Sequence, residues 1–120
     1  MITKFKLYTE KKNNFNIGDC VFYNDDKLYI IINYDEKDNS YICNFIGYYF
    51  EYPTQSWIEW EETEENEIIN EKYLNSFTNE FESFFFDELD DSIVDFIKSK
   101  FNIDLQLLKD KYIKTNDFNL

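Results

Sequence analysis

The chain has 120 residues, enough for one domain with a buried core, and it is unusual in its charge and its aromatic content. Its formal net charge is −13, it contains no His and no Arg, and 21% of its residues are Phe, Tyr or Trp. This aromatic content favours a packed globular domain over disorder. The negative charge argues against direct binding to nucleic acid or to an anionic membrane, so the expected partner is a basic protein.

The residue types that are missing or rare exclude most catalytic and metal-binding chemistry. Without His, a Ser or Cys nucleophile lacks its usual general base, and two glycines are too few for a phosphate-binding loop. Two cysteines, Cys20 and Cys43, are too few for a zinc site. The run DELDD (87–91) could hold a divalent ion, but helix capping is the better interpretation. We therefore expect that the protein is not an enzyme and that it binds no cofactor or metal. A pair of carboxylates that catalyses hydrolysis is the remaining catalytic alternative.

The expected location of the protein is the cytoplasm, or the host cytosol if a phage encodes it. The start of the chain, MITKFKLYTEKKNN, has no apolar region typical of a signal peptide. No apolar run approaches the ~18 residues of a membrane span. In this compartment the two cysteines are expected to be buried, reduced thiols.

Short strand patterns separated by polar turns occupy the first half of the chain. Strands are predicted at residues 2–8, 19–23, 28–34, 41–52 and 57–62. Their β-branched and aromatic residues favour a pleated sheet, with a bend at Gly47 and a turn at Pro53. Several short strands with tight turns predict a small antiparallel β-barrel or sheet in residues 1–62.

The second half of the chain, residues 63–120, has the apolar period of helices. The first predicted helix places five residues on one side, namely Ile68, Ile69, Lys72, Tyr73 and Phe77. A second helix begins at Asn79, where Glu82 completes a capping box. Asp90 or Asp91 is expected to cap a third helix, and Asp104 a fourth. The predicted fold class is α+β, with three to four C-terminal helices packed on the sheet in one compact domain.

Several motifs of the first half resemble those of Tudor domains, a family of SH3-like small barrels. They are FNIGD (15–19), the acidic turn that leads from Asp26 to Tyr29, and FIGY (45–48). The resemblance implies an aromatic cage that binds methylated arginine or lysine by cation–π attraction. By position the cage residues would be Tyr23, Tyr29, Phe45 and Tyr48. Where the family has Gly-Asn after its Gly-Tyr, this chain has Tyr49 and Phe50.

The whole net charge lies in residues 59–95, which we call the acidic segment. The segment contains 14 Asp and Glu residues and one Lys, whereas the rest of the chain holds 11 residues of each sign. Neighbouring like charges cost a helix a few tenths of a kcal/mol per pair, so this concentration indicates a binding surface. If residues 59–71 were helical, one acid would fall every ~3 Å, close to the phosphate spacing of a DNA strand. A solvated face is the alternative.

These features predict a small acidic inhibitor that binds a basic, nucleic-acid-binding effector such as a nuclease and blocks it, as a nucleic-acid mimic in one version. In character the chain resembles phage anti-defence proteins, such as anti-CRISPRs, and the immunity proteins of toxins. A Tudor-like module for a peptide or a cationic ligand is a further alternative.

In the last strand, alternation sends Ile58 and Trp60 to one face and Trp57 and Glu59 to the other. The predicted partner-binding residues are Trp57, Glu59, Trp60, Glu61, Glu62, Glu64, Glu65, Glu67, Glu71, Asp87, Glu88, Asp90 and Asp91.

Overall fold

The computed structural model describes residues 15–36 and 39–118, and over these residues it has six strands and three α-helices. The strands are β1 (Cys20–Tyr23), β2 (Lys27–Asp35), β3 (Ser40–Tyr52), β4 (Gln55–Trp60), β5 (Asn66–Asn70) and β6 (Leu74–Ser76). The helices are α1 (Asn79–Glu88), α2 (Asp91–Phe101) and α3 (Leu105–Phe118). This is the expected α+β fold, an antiparallel sheet followed by helices. The strand predicted at residues 2–8 lies outside the described residues.

Strand β3 is the centre of the sheet because it is long enough to pair with three other strands. One of its edges pairs with β2, and the other pairs with β5 in its first half and with β4 in its second. Beyond β2 the sheet continues with β1 and then β6. A 3₁₀ turn at Glu71–Tyr73 joins β5 to β6 across the two ends of the sheet, which must therefore curl. No described ladder joins these ends, so the sheet is not closed and the SH3-like barrel is not confirmed.

The bend predicted in β3 is present as a β-bulge at Ile46 and Gly47. Against β2, Gly47 pairs with Leu28 while Phe45 pairs with Tyr29, which leaves Ile46 without an opposite residue. A Cβ atom on Gly47 would lie 2.5 Å from the carbonyl oxygen of Glu59 on β4. Only glycine therefore permits the two backbones to approach this closely.

The sheet buries apolar side chains on both of its faces. On one face the helix-side core contains Leu28, Ile30, Ile46, Ile58, Phe81, Phe85, Ile93, Ile97 and Leu105. On the other, where none of the described helices packs and which we call the helix-free face, the second core contains Phe15, Val21, Tyr29, Ile31, Tyr41, Cys43, Ile69 and Leu74. Residues 28–31 of β2 alternate between the two cores, which explains why the strand is a continuous apolar run.

The helix predicted around Ile68 and Ile69 is wrong, because this segment forms β5, the 3₁₀ turn and β6. In β5, Ile69 pairs with Tyr41 and is 5% exposed, whereas Ile68 is 65% exposed. This alternation is that of a strand with one buried face. The free edge of β3 supplies the hydrogen bonds, and the change from strand to helix falls after residue 76 instead of near residue 62.

Polar side chains cap the three helices at their N-termini. Thr78, and not Asn79, caps α1, since its hydroxyl accepts a hydrogen bond from the Phe81 amide at 3.1 Å. The predicted capping box at Asn79 is therefore wrong. The predicted cap at Asp90 or Asp91 is confirmed for α2, because the Asp90 carboxylate accepts a hydrogen bond from the Ser92 amide at 2.7 Å. The start of α3 is likewise held by Asp104, which accepts hydrogen bonds from the amides of residues 106 and 107.

None of the described helices has the length and apolar character needed to cross a membrane.

Candidate functional site

The acidic segment folds so that its two densest stretches lie side by side. Trp60, at the end of β4, donates from Nε1 to the carbonyl oxygen of Glu88, 3.2 Å away, and its ring lies 5.5 Å from that of Phe85. These contacts bring the loop at 61–65 next to the junction of α1 and α2 at 87–91. Eight of the described acids here are exposed, and we call them the acidic surface. They are Glu61, Glu62, Glu64, Glu65, Asp87, Glu88, Asp90 and Asp91.

The loop at 61–65 is held in place by polar contacts. Asn44, fully buried in β3, donates from Nδ2 to the carbonyl oxygen of Thr63 at 2.9 Å. The Thr63 hydroxyl accepts from the Glu65 amide at 3.2 Å. Lys100 of α2 forms an ion pair with Glu64 at 3.1 Å, but the two side chains are 43% and 65% exposed, so the pair contributes at most about 1 kcal/mol. The carboxylates of this loop thus point outward from a fixed backbone.

The helical spacing of acids considered for residues 59–71 does not exist in the structure. Glu59 lies in β4, the next acids lie in the loop, and Glu67 lies in β5. Strand residues alternate between faces, so neighbouring carboxylates do not follow one line at ~3 Å intervals. The acidic surface therefore concentrates negative charge without the helical arrangement on which the comparison with phosphate spacing depended.

Two of the predicted partner-binding residues, Glu67 and Glu71, hold buried tyrosine hydroxyls. Tyr29 donates to the Glu67 carboxylate at 2.5 Å, and Tyr41 donates to Glu71 at 2.8 Å. Both rings are buried in the second core, where a hydroxyl without a partner would be costly. The structure thus gives these two glutamates a role in the fold.

The buried Tyr29 hydroxyl predicts a loss of stability in alkali. Burial, and then the bond to Glu67, raise the pKa of Tyr29 well above its ordinary range. The folded state keeps this proton at a pH where the unfolded chain has lost it. The stability that the protonated Tyr29 hydroxyl contributes is therefore fully present below pH about 10 and is lost as the pH rises further. We expect the urea midpoint of the wild type to fall more steeply above pH 10 than that of Tyr29→Phe.

The matched control for this experiment is Tyr52→Phe, which removes a hydroxyl from a tyrosine that is 56% exposed. This variant should keep the slope of the wild type. Equal slopes for Tyr29→Phe and the wild type would show that the buried Tyr29 hydroxyl does not control the alkaline response.

Among the described residues, seven aromatic rings form a continuous row, which we call the aromatic row. The rings follow one another in the order Tyr23, Tyr29, Phe45, Tyr48, Phe50, Trp57 and Tyr52, with at most 6.3 Å between neighbouring centroids. Tyr49 packs on α1, so Tyr48 and Phe50 point to the helix-free face. Because Ile58 belongs to the helix-side core, Trp57 and Glu59 also point there, as alternation in β4 predicted.

The four predicted cage residues are the first four rings of this row, but they do not form an open cage. Their neighbouring rings meet edge to face, and Tyr29 is only 2% exposed, so it has no face to offer a ligand. The ammonium of the chain's own Lys27 lies 5.9 Å from the ring centre of Tyr23. A cationic ligand at this end would be repelled by Lys27, so the geometry does not favour the methyl-binding site that the resemblance implies.

A cleft of about 450 Å³ between the edge of the sheet and the helices was not predicted. Asp19 and Glu82 line it together with several phenylalanines. Partial burial, and then the charge of Asp19, raise the pKa of Glu82. Burial also raises the pKa of the Cys20 thiol, so this side chain stays protonated and a weak nucleophile at neutral pH. The one feature of the sequence that indicated this cleft was Glu82, an acid beside the apolar stripe of α1.

The described residues contain two unpaired cysteines and no cluster of three or more acids or thiols that could hold a metal ion. Burial raises the pKa of Cys43 to about 12. In the run at 87–91, Asp90 is committed to capping α2, as its bond to Ser92 shows.

No family model, curated protein or solved structure matches this chain. The class of protein is therefore defined by the fold and the surface alone. It is an α+β domain with an acidic surface on one side and a row of aromatic rings on its helix-free face.

Proposed function

We propose that the protein is a small acidic inhibitor that binds a basic, nucleic-acid-binding effector protein and blocks it. The observation that carries this proposal is the contact of Trp60 with Glu88, which joins the loop at 61–65 to the junction at 87–91. Eight exposed carboxylates on one surface repel one another, and a basic partner would relieve this repulsion. Such complementarity also makes association fast and sensitive to salt.

In the version that we favour, the protein is a phage or mobile-element anti-defence protein, such as an anti-CRISPR, acting in the host cytosol. The targets of such proteins are nucleases with basic nucleic-acid channels, which the acidic surface would fill. Because the carboxylates extend from a loop and a helix junction, the block would come from concentrated charge and not from a copy of the phosphate spacing. An immunity protein that neutralises a basic toxin would use the same chemistry and is the alternative.

A binding module for a peptide or a cationic ligand is the second candidate function. The continuous aromatic row favours it, because ring faces attract cations. Buried Tyr29 and the nearby Lys27 disfavour the cage end of the row, so a module would have to use the end at Phe50 and Trp57.

The test of the proposed function uses purified RNA-guided nucleases and nuclease toxins, with DNA cleavage and association rate as the readouts. The wild type should form a complex with a nuclease and prevent cleavage. The variant E61Q/E62Q/E64Q/E65Q should associate about tenfold more slowly or worse at low salt, because charge steers the encounter. The difference should shrink at high salt, where these charges are screened.

A matched control removes four exposed acids from outside the acidic segment by combining D25N, D26N, E36Q and D110N. This variant has the same net charge as the first and should associate within a few-fold of the wild-type rate. If both variants slow association equally, total charge and not the acidic surface controls binding. A wild type that binds no nuclease at low salt would refute the proposal.

A further inference from the structure

We propose that the end of the aromatic row formed by Phe50, Trp57 and Tyr52, together with the carboxylate of Glu59, binds arginine side chains of the basic partner. We call these four residues the hairpin platform, since they lie on the β3–β4 hairpin. The inference rests on the proposed function for the existence of a basic partner. It adds the chemical group that the partner presents and a second contact surface on the helix-free face.

The rings of the hairpin platform have a different geometry from those of the predicted cage. Trp57 pairs with Phe50 across the hairpin, and their rings are stacked, with centroids 5.2 Å apart and planes at 24°. The Tyr52 ring lies 5.4 Å from Trp57 at 34°. Stacked rings cover the faces that they turn toward one another, so a planar cation can stack only on the outward faces of these three rings.

The platform also remains accessible to a partner. Tyr52 is 56% exposed, and Phe50 and Trp57 are half-buried. The helices pack on the opposite face of the hairpin, through Tyr49, Ile58 and Trp60.

The carboxylate of Glu59 gives the platform its preference for arginine. Glu59 is exposed and accepts a hydrogen bond from Trp57 Nε1 at 3.5 Å, so its charge lies at the edge of the indole ring. A guanidinium stacked on that ring can direct its in-plane N–H groups to the carboxylate. A lysine ammonium is a strongly hydrated point charge and cannot make both contacts in this way.

Two further observations connect the platform with a cationic partner. The described lysines that lie over ring faces are at Tyr23 and Tyr73, and neither of these rings belongs to the hairpin platform. Glu59 lies two residues before Glu61, the first acid of the loop at 61–65, so about 7 Å of extended chain separates them and a partner on the acidic surface can reach both.

The experiment compares synthetic octa-arginine and octa-lysine peptides, labelled with fluorescein, by anisotropy at moderate salt. The wild type should bind octa-arginine about tenfold more tightly than octa-lysine, because only the guanidinium both stacks and pairs. Trp57→Leu should bind the two peptides equally. Trp57→Phe, which keeps a planar ring, should retain part of the preference, and Glu59→Gln should reduce it about threefold.

The matched control is Tyr73→Leu, which removes a 53% exposed aromatic ring outside the platform and should keep the full preference. Tyr52→Leu changes an exposed ring within the platform, so it tests the inference even if Trp57→Leu is unstable. Equal binding of the two peptides by the wild type, or a preference that survives both leucine substitutions within the platform, overturns the inference. If the variant E61Q/E62Q/E64Q/E65Q nevertheless binds both peptides more weakly than the wild type does, the proposed function stands. Binding of neither peptide by the wild type would refute both.

Discussion

Replacing Phe85 with alanine should lower the free energy of unfolding by about 3–5 kcal/mol. Phe85 is fully buried in the helix-side core. Its ring contacts four others, those of Trp60, Phe77, Phe81 and Phe86. Alanine would leave a cavity that these rings cannot fill without losing contacts of their own. Since a domain of this size is stable by about 5–15 kcal/mol, the loss would be a large part of the total.

Urea denaturation followed by circular dichroism measures this effect. The control is Phe84→Ala on the same helix, because Phe84 is only partly buried and contacts Tyr49 and Phe81. It should cost about half as much or less. Because Phe85 supports Trp60, Phe85→Ala should also loosen the loop at 61–65 and slow association with a nuclease. A loss below about 1 kcal/mol would contradict the packing described for Phe85.

Strands β2 and β3 could be predicted because their signals are local. Each is a run of β-branched and aromatic residues between polar turns, and this pattern identifies a strand without knowledge of its neighbours. Strands β5 and β6 could not be predicted in this way. Ile68 and Ile69 fit a helical stripe as well as a strand, and the free edge of β3 decides between them. That edge is a tertiary partner, and helical periodicity within residues 68–77 does not reveal it.

The candidate site shows the same division between local and tertiary information. Alternation in β4 was enough to separate Trp57 from Trp60, and a count of charges located the acidic segment. The sequence could not show that Trp60 reaches Glu88, because that contact depends on how α1 packs against β4. Nor could it show that Glu67 bonds a buried tyrosine while the glutamates of the loop at 61–65 do not, since only the register of β5 on β3 brings the Glu67 carboxylate to Tyr29.

Gly47→Ala should lower the free energy of unfolding by about 2–4 kcal/mol and weaken binding at the same time. The added Cβ would lie 2.5 Å from the Glu59 carbonyl oxygen and 3.2 Å from the Trp60 Cα atom. Both are backbone atoms, so the clash can be relieved only by moving β4 away from β3. That movement would displace the hairpin platform and the Trp60 side chain that supports the acidic surface.

Gly18→Ala is the matched control, because it separates a loss of stability from a loss of function. Gly18 has a φ of +99°, so alanine would strain the backbone by about 1–3 kcal/mol. Its Cβ would lie 3.5 Å from Ile103, an ordinary contact remote from β4. We expect Gly18→Ala to be less stable but to keep both the arginine preference and the association rate of the folded protein, whereas Gly47→Ala should lose both. If the folded Gly47→Ala protein bound like the wild type, the close pairing of β3 and β4 would not be what positions these surfaces.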